Sequence, residues 1–272
     1  MDIPSLKKLS NGVSIPRLGL GVYKVPEDQV YDTVLSALDL GYRHIDTASF
    51  YGNEYGVGKA IRNSGIPRED IFVTSKVWND DHGYDNALKA FERSMEKLSF
   101  DYLDLFLIHW PIPEGFPDTW KALEEINKTD RVGAIGVSNF LDHHLEELSK
   151  TANETPVVDQ IELHPKLQQK STVEYCRRHG IAVESWSPLG RARYLDDPLL
   201  TKMASNYDKS VAQLIIRWHL ENDFIVIPKS VKAIRQKENA NVFDFKLSTK
   251  DMEYLNQMNE DMRIGSHPND MR

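Results

Sequence analysis

Asp46, Tyr51, Lys76 and His109 stand in four short segments: His44-Ile45-Asp46-Thr47-Ala48, Tyr51-Gly52-Asn53-Glu54, Val73-Thr74-Ser75-Lys76 and Leu107-Ile108-His109-Trp110-Pro111. Each segment lies where an apolar run of strand length gives out. The four side-chain types together make a proton donor for neutral pH. A phenol buried beside an ammonium has its phenolate favoured and its pKa lowered. A carboxylate keeps the ammonium charged and aimed, and an imidazole close by can hold a carbonyl oxygen. The chemistry this combination suits is the addition of hydrogen to C=O.

Strands must bring these residues together. Candidates are Leu18–Val22, His44–Asp46, Ile71–Lys76, Tyr102–Ile108, Val132–Val137, Val158–Ile161, Ala182–Trp186 and Phe224–Ile227. Several are continuously apolar, as parallel strands buried on both faces are. Between them, Val30 to Leu38 and Ala87 to Met95 place apolar residues three and four apart, the spacing of amphipathic helices. Gly41 and Gly180 stand where helices give way to strands, as C-terminal caps do. Asn11-Gly12 between Lys7-Lys8-Leu9 and Val13-Ser14-Ile15 signals a hairpin. Eight such strand–helix units predict an α/β fold, a (β/α)8 TIM barrel preceded by an N-terminal β-hairpin. An open doubly wound sheet would announce itself by a glycine-rich turn after its first strand, and Gly19-Leu20-Gly21 lacks the third glycine. One barrel domain over 1–272 is expected, with the hairpin at about 7–15 and a polar tail from about 259 to 272.

A parallel barrel collects its active site at the C-terminal ends of its strands. Asp46, Lys76, His109, Ser138-Asn139, Gln160, Trp186 and Lys229 all fall at or just past such ends. Singly, each has a plain reading: Asp46 caps a helix, Tyr51 packs with its hydroxyl on backbone, Lys76 sits on a rim, His109 is a satisfied core residue. Seven chemically purposeful residues at seven such positions point to one site.

Bulk properties narrow the function. The chain has 272 residues, 40% hydrophobic and 27% charged, ample for an extended core. Its net charge of −8 argues against nucleic-acid binding. Cys176 is the single cysteine, so no intrachain disulfide can form, and a reducing compartment is expected. Its surroundings read as a packed helix. The N-terminus lacks a signal-peptide pattern, and Leu105-Phe106-Leu107-Ile108 is far too short to span a bilayer. A cytoplasmic, monomeric protein without membrane or nucleic-acid partners is expected. No HExxH, CxxC pair or His/Asp/Glu cluster suggests a metal, and no GxSxG suggests a serine hydrolase. His143-His144 reads as a solvated helix start.

From end to end, the chain resembles the aldo-keto reductase family. The resemblance rests on Leu18-Gly19-Leu20-Gly21, Gly41-Tyr42-Arg43-His44-Ile45-Asp46-Thr47-Ala48, Tyr51-Gly52-Asn53-Glu54, Val137-Ser138-Asn139-Phe140, Gln160-Ile161-Glu162 and Ile227-Pro228-Lys229-Ser230-Val231, with Arg235, Glu238 and Asn239 following. The short loop after His109 is similar to the bacterial branch of diketogluconate and glyoxal reductases. The resemblance implies an NADPH-dependent reductase of small aldehydes, ketoaldehydes or keto sugars. In it Tyr51 is the general acid, Lys76 lowers its pKa, Asp46 pairs with Lys76, and His109 orients the carbonyl. Hydride comes from the nicotinamide, since no side chain can supply it.

The resemblance also implies where the cofactor sits. Ser138, Asn139 and Gln160 suit a carboxamide, Trp186 offers a flat face to the nicotinamide ring, and Ser187-Pro188-Leu189-Gly190 can wrap a pyrophosphate. Lys229, Ser230 and Arg235 form a cationic cluster suited to a 2′-phosphate, which favours NADPH over NADH, and Glu238-Asn239 resembles an adenine-contacting pair. Gly21, Val22, Tyr23, Asp46 and Val231 complete the implied cofactor contacts. Tyr23, Phe50, Trp78 and Trp110, with Tyr51 and His109, are expected to wall the substrate pocket. Two departures stand out. Lys128 to Gly133 lacks the usual glycine near Asp130, away from the expected mouth. Arg191-Ala192-Arg193-Tyr194 replaces the longer cofactor-clamping loop of some relatives, which implies faster release. A second reading is a catalytically weak barrel that binds NADPH as a sensor or interaction subunit. A metal-assisted barrel hydrolase or isomerase lacks its ligands.

Overall fold

The computed structural model describes residues 5–271; Met1 to Pro4 and Arg272, at the two ends of the expected 1–272 span, lie outside the described residues. The chain opens with β1 (Leu6–Lys8) and β2 (Ser14–Pro16), antiparallel with Lys7 opposite Ile15. Their turn is a three-residue loop closed by Leu9 and Val13, in which Gly12 takes φ +93°. The barrel then runs β3 (Leu20–Gly21), α1 (Glu27–Asp39), β4 (His44–Asp46), α2 (Glu54–Asn63), β5 (Phe72–Val77), α3 (Tyr84–Leu98), β6 (Leu105–Ile108) and α4 (Phe116–Asn127). Its second half is β7 (Ile135–Ser138), α5 (Asp142–Ser149), β8 (Val158–Glu162), α6 (Lys170–Arg178), β9 (Ala182–Trp186), α7 (Pro198–Ser205), α8 (Val211–Glu221), β10 (Ile225–Val226) and α9 (Ala233–Ala240), with α10 (Thr249–Asn256) added before the tail.

The eight strands β3 to β10 pair in chain order, all parallel. A parallel bridge between Leu18 and Val226, with Gly19 N–H donating to the Val226 carbonyl at 2.9 Å, closes the sheet on itself. Several strands are shorter than their apolar runs. Tyr102 to Asp104 stays outside β6, joined to the chain before β7 only by the Leu103–Val132 bridge, and Leu18 contributes one bridge. Apolarity marks burial, whereas ladder pairing stops where the strands diverge.

Helix limits follow local chemistry. In α3 the buried residues Ala87, Ala90, Phe91, Ser94, Met95 and Leu98 recur three and four apart. Asp197 caps the start of α7, its carboxylate accepting from Leu199 N–H and Leu200 N–H, and a reciprocal Ser210–Gln213 capping box precedes α8. Gly41 and Gly180 each follow a helix with positive φ, +99° and +70°. Cys176 is buried on α6.

Two apolar layers result. One packs helices on the outside of the sheet. The other fills the lower barrel with Phe72, Leu105, Leu107, Val158, Ala182 and Ile225, and the hairpin residues Leu9 and Ile15 plug its end. Going up the same inward rows, the side chains turn polar, Lys76 beyond Phe72 and Gln160 beyond Val158, while the β4 row carries His44 and then Asp46. The chemistry-bearing residues therefore sit on a rigid apolar base at one end. No helix is long and apolar enough to cross a membrane among the described residues.

Helix α2 meets the end of α3 closely at Gly58. A Cβ on Gly58 would fall 2.1 Å from the Leu98 carbonyl oxygen. Gly58→Ala must push the helices apart, and we expect it to cost about 1–3 kcal/mol, read as a lower urea midpoint at unchanged slope. A midpoint equal to wild type would show that α2 yields freely.

Candidate active site

Lys76, near the end of β5, is fully buried and points up the barrel axis. Its ammonium lies 2.8 Å from each Asp46 carboxylate oxygen and 2.8 Å from the Thr47 carbonyl oxygen. An ammonium has three N–H groups, so these contacts use all of its donors. Tyr51 Oη is a fourth neighbour at 3.4 Å. A buried charge survives only when paired and fully hydrogen-bonded, and this arrangement meets both conditions.

A single 3-10 turn, Ser49–Tyr51, delivers the phenol. Gly52 ends that turn in the left-handed region at φ +66°, where a side chain would be strained. Asn53 then staples the loop: its amide donates to the Val22 carbonyl at 3.0 Å and the Val25 carbonyl at 2.9 Å, while Thr47 Oγ1 donates to its side-chain oxygen at 2.7 Å. Ser75 Oγ donates to Glu54 at 2.6 Å and ties the next helix to β5. The Tyr-Gly-Asn-Glu run is thus a positioning device as well as the source of one phenol.

The phenol's acidity differs from the sequence-based expectation. Burial first, then the Asp46 carboxylate, push the Tyr51 hydroxyl well above its ordinary 10, and the ammonium does not reverse this. Burial is the larger cause, and Lys76 is paired with Asp46 at 2.8 Å while the phenol lies 3.4 Å away. In the free protein Tyr51 is a neutral O–H donor. His109, just past β6, is held well below its ordinary 6.5 by burial and the Lys76 charge, so its imidazole is neutral. Its Nδ1 is buried without a partner. Its ring meets Tyr51 edge-on at 5.6 Å and Trp78 at 5.1 Å.

These groups line the base of a cavity of about 780 Å³ that runs across the mouth of the barrel. At one end stand Tyr23, Phe50, Trp78 and Trp110, with Phe50 and Trp78 stacked at 3.6 Å. At the other stand Lys229, Ser230, Arg235, Glu238 and Asn239; Lys229 and Arg235 are exposed there as cations. Between them lie Gly21, Asp46, Ser138, Asn139, Gln160, Trp186, Ser187 and Leu189. Of the expected contacts, Val22 is buried in the core and Val231 is exposed outside the lining. Lys76 lies beneath the surface and reaches the cavity through Asp46 and Tyr51, which line it.

The side chains expected to suit a carboxamide are engaged within the protein. Asn139 donates to the His109 carbonyl at 3.0 Å and to Ser138 Oγ at 3.1 Å, and accepts from Trp186 Nε1 at 2.8 Å. It does so from a left-handed backbone, φ +64°. Gln160 Nε2 donates to Asp46 at 2.7 Å and to Glu184 at 2.8 Å. The trio therefore fixes the Trp186 and His109 positions, and offers a ligand only its remaining lone pairs.

Other features of the site escape sequence patterns. The tail crosses the mouth: Glu162 accepts from Ile264 N–H at 2.8 Å and Gly265 N–H at 2.9 Å, and a Cβ on Gly265 would strike the Trp186 ring at 2.4 Å. Gln236, fully buried, accepts from Ser36 Oγ and donates to the Thr33 and Ser230 carbonyls, which anchors the cationic end to α1. Lys24, Arg191 and the start of α8 also line the cavity. Ser187, Arg191 and Ala192 near it all have positive φ, so the short segment after β9 is strained. His144 is half-buried and caps the Leu141 N–H, so only His143 of that pair is exposed. Among the described residues, no group of three or more His, Cys, Asp or Glu is arranged to hold a metal.

Comparisons with known proteins bear on this geometry. A model of the Aldo/keto reductase family matches residues 17–260. Glyoxal reductase of Bacillus subtilis is 51% identical over 265 residues, covering 97% of this chain and 96% of its own. Methylglyoxal reductase DkgA of Escherichia coli is 42% identical over 272 residues, covering 98% of each. The crystal structure of a Gox0644 mutant in complex with NADPH superposes with a TM-score of 0.93 at 45% identity, covering 97% of both chains.

Removing the carboxylate should expose how much the buried pair stabilises. Asp46→Ala leaves the Lys76 ammonium uncompensated in the barrel, and an expected loss of about 3–5 kcal/mol should appear in urea unfolding. A loss below about 1 kcal/mol would mean that water reaches Lys76.

Proposed function

The chain belongs to the aldo/keto reductase family, and from that premise we propose that it reduces small α-oxoaldehydes and related carbonyls with Tyr51 as proton donor. It is an NADPH-dependent oxidoreductase. The two reductases described above, for glyoxal and methylglyoxal, support the substrate class. One observation carries the reading: a neutral phenol, a neutral imidazole and a buried ammonium converge at the base of an aromatic-walled cavity.

The residues present fit the cofactor. Lys229, Ser230 and Arg235 bring charge-assisted donors to one end, as a 2′-phosphate requires. Gly21 presents bare backbone, since a Cβ there would lie 3.0 Å from the Ile227 carbonyl oxygen. Trp186 is held by its indole N–H and offers a ring face beside Ser138, Asn139 and Gln160. Bound there, NADPH supplies the hydride.

The protein's own contribution is positioning and proton transfer. Tyr23, Phe50, Trp78 and Trp110 admit a small carbonyl and keep water from it. His109, neutral, can donate one hydrogen bond to the carbonyl oxygen without competing as an acid. Tyr51 donates its proton to that oxygen. As negative charge grows on the phenolic oxygen, an N–H of Lys76 can swing from Asp46 toward it. Asp46 tolerates this because Gln160 continues to serve one of its oxygens. The ammonium thus assists when charge develops, which is where an interaction accelerates a reaction. An assembled set of four residues is not what the weak-barrel alternative requires.

Tyr51→Phe should lower methylglyoxal turnover about 10²- to 10⁴-fold while NADPH still quenches tryptophan fluorescence with wild-type affinity. Full activity in this variant would remove Tyr51 from the reaction. At the cationic end, Arg235→Ala should weaken NADPH binding about 10- to 100-fold and leave NADH binding unchanged; equal losses for both would deny Arg235 a phosphate contact.

A further inference from the structure

His44 and Glu184 face each other across the floor of the catalytic pocket. His44 opens β4 two residues before Asp46, so both side chains lie on the inner face of that strand. Glu184, on β9, is in register with Gln160 of β8. Both residues are fully buried. His44 Nδ1 lies 3.2 Å from the Pro16 carbonyl oxygen. A carbonyl only accepts, so Nδ1 carries a proton and donates it. Nε2 then presents a lone pair, and it faces Glu184 Oε1 at 3.4 Å. Neither of these two atoms has another hydrogen-bond partner. Two buried acceptors facing each other with nothing between them would be costly, and a single proton resolves the contact. The ring has no route of escape. A Cβ on Gly19 would fall 2.6 Å from Nδ1, so bare backbone lies flush on the imidazole, and Phe72 packs edge-on at 5.2 Å.

The pair communicates upward. Gln160 Nε2 donates both to Glu184 and to Asp46, and Asp46 in turn holds Lys76 beside Tyr51. The charged or titratable groups around Glu184 are His44 and Asp46 from β4, Lys76 from β5 and Tyr51 from the turn above. Gln160 from β8 is neutral, and β10 brings only Ile225 and Val226. Two carboxyl groups thus share a floor with one ammonium.

We propose that Glu184 and His44 hold one shared proton beneath the Asp46–Lys76 pair, and that its loss, relayed through Gln160 and Asp46, shuts off proton donation by Tyr51 at alkaline pH. This deepens the reading of Tyr51 as donor and rests on it. The proton resides on Glu184 and is donated to Nε2: burial, then the Asp46 charge, hold the carboxyl up to about 8, while burial holds the imidazole down to about 4. Below about 8 the floor is balanced, one anion against one cation. Above it, a second anion faces the pocket and further disfavours the phenolate that Tyr51 must become. Glu184 touches no reacting atom in this scheme and acts as a positioning residue. A carboxyl raised from 4.5 in the unfolded chain to about 8 in the folded one binds its proton more tightly when folded. Its contribution to stability is complete below 4.5 and is lost as pH rises to about 8.

The test combines two measurements. In the wild-type protein, nitrogen NMR of the labelled histidines should report His44 as the neutral Nδ1–H tautomer below pH 7; an Nε2–H tautomer, or titration near the ordinary 6.5, would overturn the shared proton. Glu184→Gln keeps both hydrogen bonds without an ionisable group. Single-turnover reduction of methylglyoxal by wild type should fall tenfold per pH unit above about 8. Glu184→Gln should lack that limb and should gain thermal stability relative to wild type as pH rises from 4.5 to 8. An unchanged alkaline limb, or a loss of more than tenfold at pH 6.5 in the folded variant, would overturn the proposal. Full activity in Tyr51→Phe would instead remove the donor assignment while leaving the His44 tautomer result intact, so the two failures are separable.

Discussion

The active end of this molecule depends on keeping one ammonium out of water. Lys76 has no exposed surface, and its three donors are matched by two carboxylate oxygens and one carbonyl. Desolvating such a charge is expensive, and a poorly matched partner would leave the barrel worse off than an apolar filling would. The parallel register of β4 with β5, with Asp46 opposite Thr74, sets the two side chains at the required separation. The neighbours then follow from the same need. Gln160 serves the carboxylate from the far side, the Thr47 carbonyl completes the ammonium, and the turn through Ser49 is tied to the Lys76 carbonyl at 2.9 Å.

The rest of the fold supports this by a polarity gradient along the barrel axis. Phe72, Leu105, Leu107 and Val158 fill the base, with Leu9 and Ile15 of the hairpin beneath them. Close packing at that level leaves the strands no freedom to shift, so the polar layer above is held by a base that does not move. The hairpin, remote from the chemistry, acts as its plug. Gly19 belongs to the same design: a side chain there would displace the His44 ring and disturb the floor under Asp46.

Much of this was legible in the residues. Strand-length apolar runs ending in Asp46, Lys76, His109 and Trp186 located the barrel and its mouth, because burial on both faces leaves a continuous apolar signature. Contacts made by single backbone atoms or by residues far apart in the chain left no pattern. Gln236 anchors α9 to α1 across a separation of 203 residues to Thr33, and the Glu162 carboxylate gathers the tail amides across 102 and 103. The acidity of Tyr51 was misjudged for a related reason. A cation lowers the pKa of a neighbouring phenol only where its effect outweighs burial and nearby anions, and sequence does not reveal that Tyr51 is buried beside Asp46, or that two Asp46 oxygens and the Thr47 carbonyl take the three short contacts of Lys76. Asn139 looked like a ligand donor because its partners, His109, Ser138 and Trp186, come from three different strand ends.

The protonation states also bear on direction. Reduction needs a phenol that arrives with its proton; oxidation of an alcohol needs a phenolate to remove one. A Tyr51 hydroxyl held well above 10 in the free protein is overwhelmingly protonated at neutral pH. His109, neutral there as well, adds no positive charge that would favour the phenolate. Under the proposed assignment, the resting site is therefore set for donating a proton. Lys76 then lowers the barrier only as the phenolic oxygen becomes negative, because its bonds to Asp46 are the ones it holds beforehand. A lysine without that carboxylate would stabilise the phenolate in the resting state, and the same four residue types would be poised for the reverse reaction.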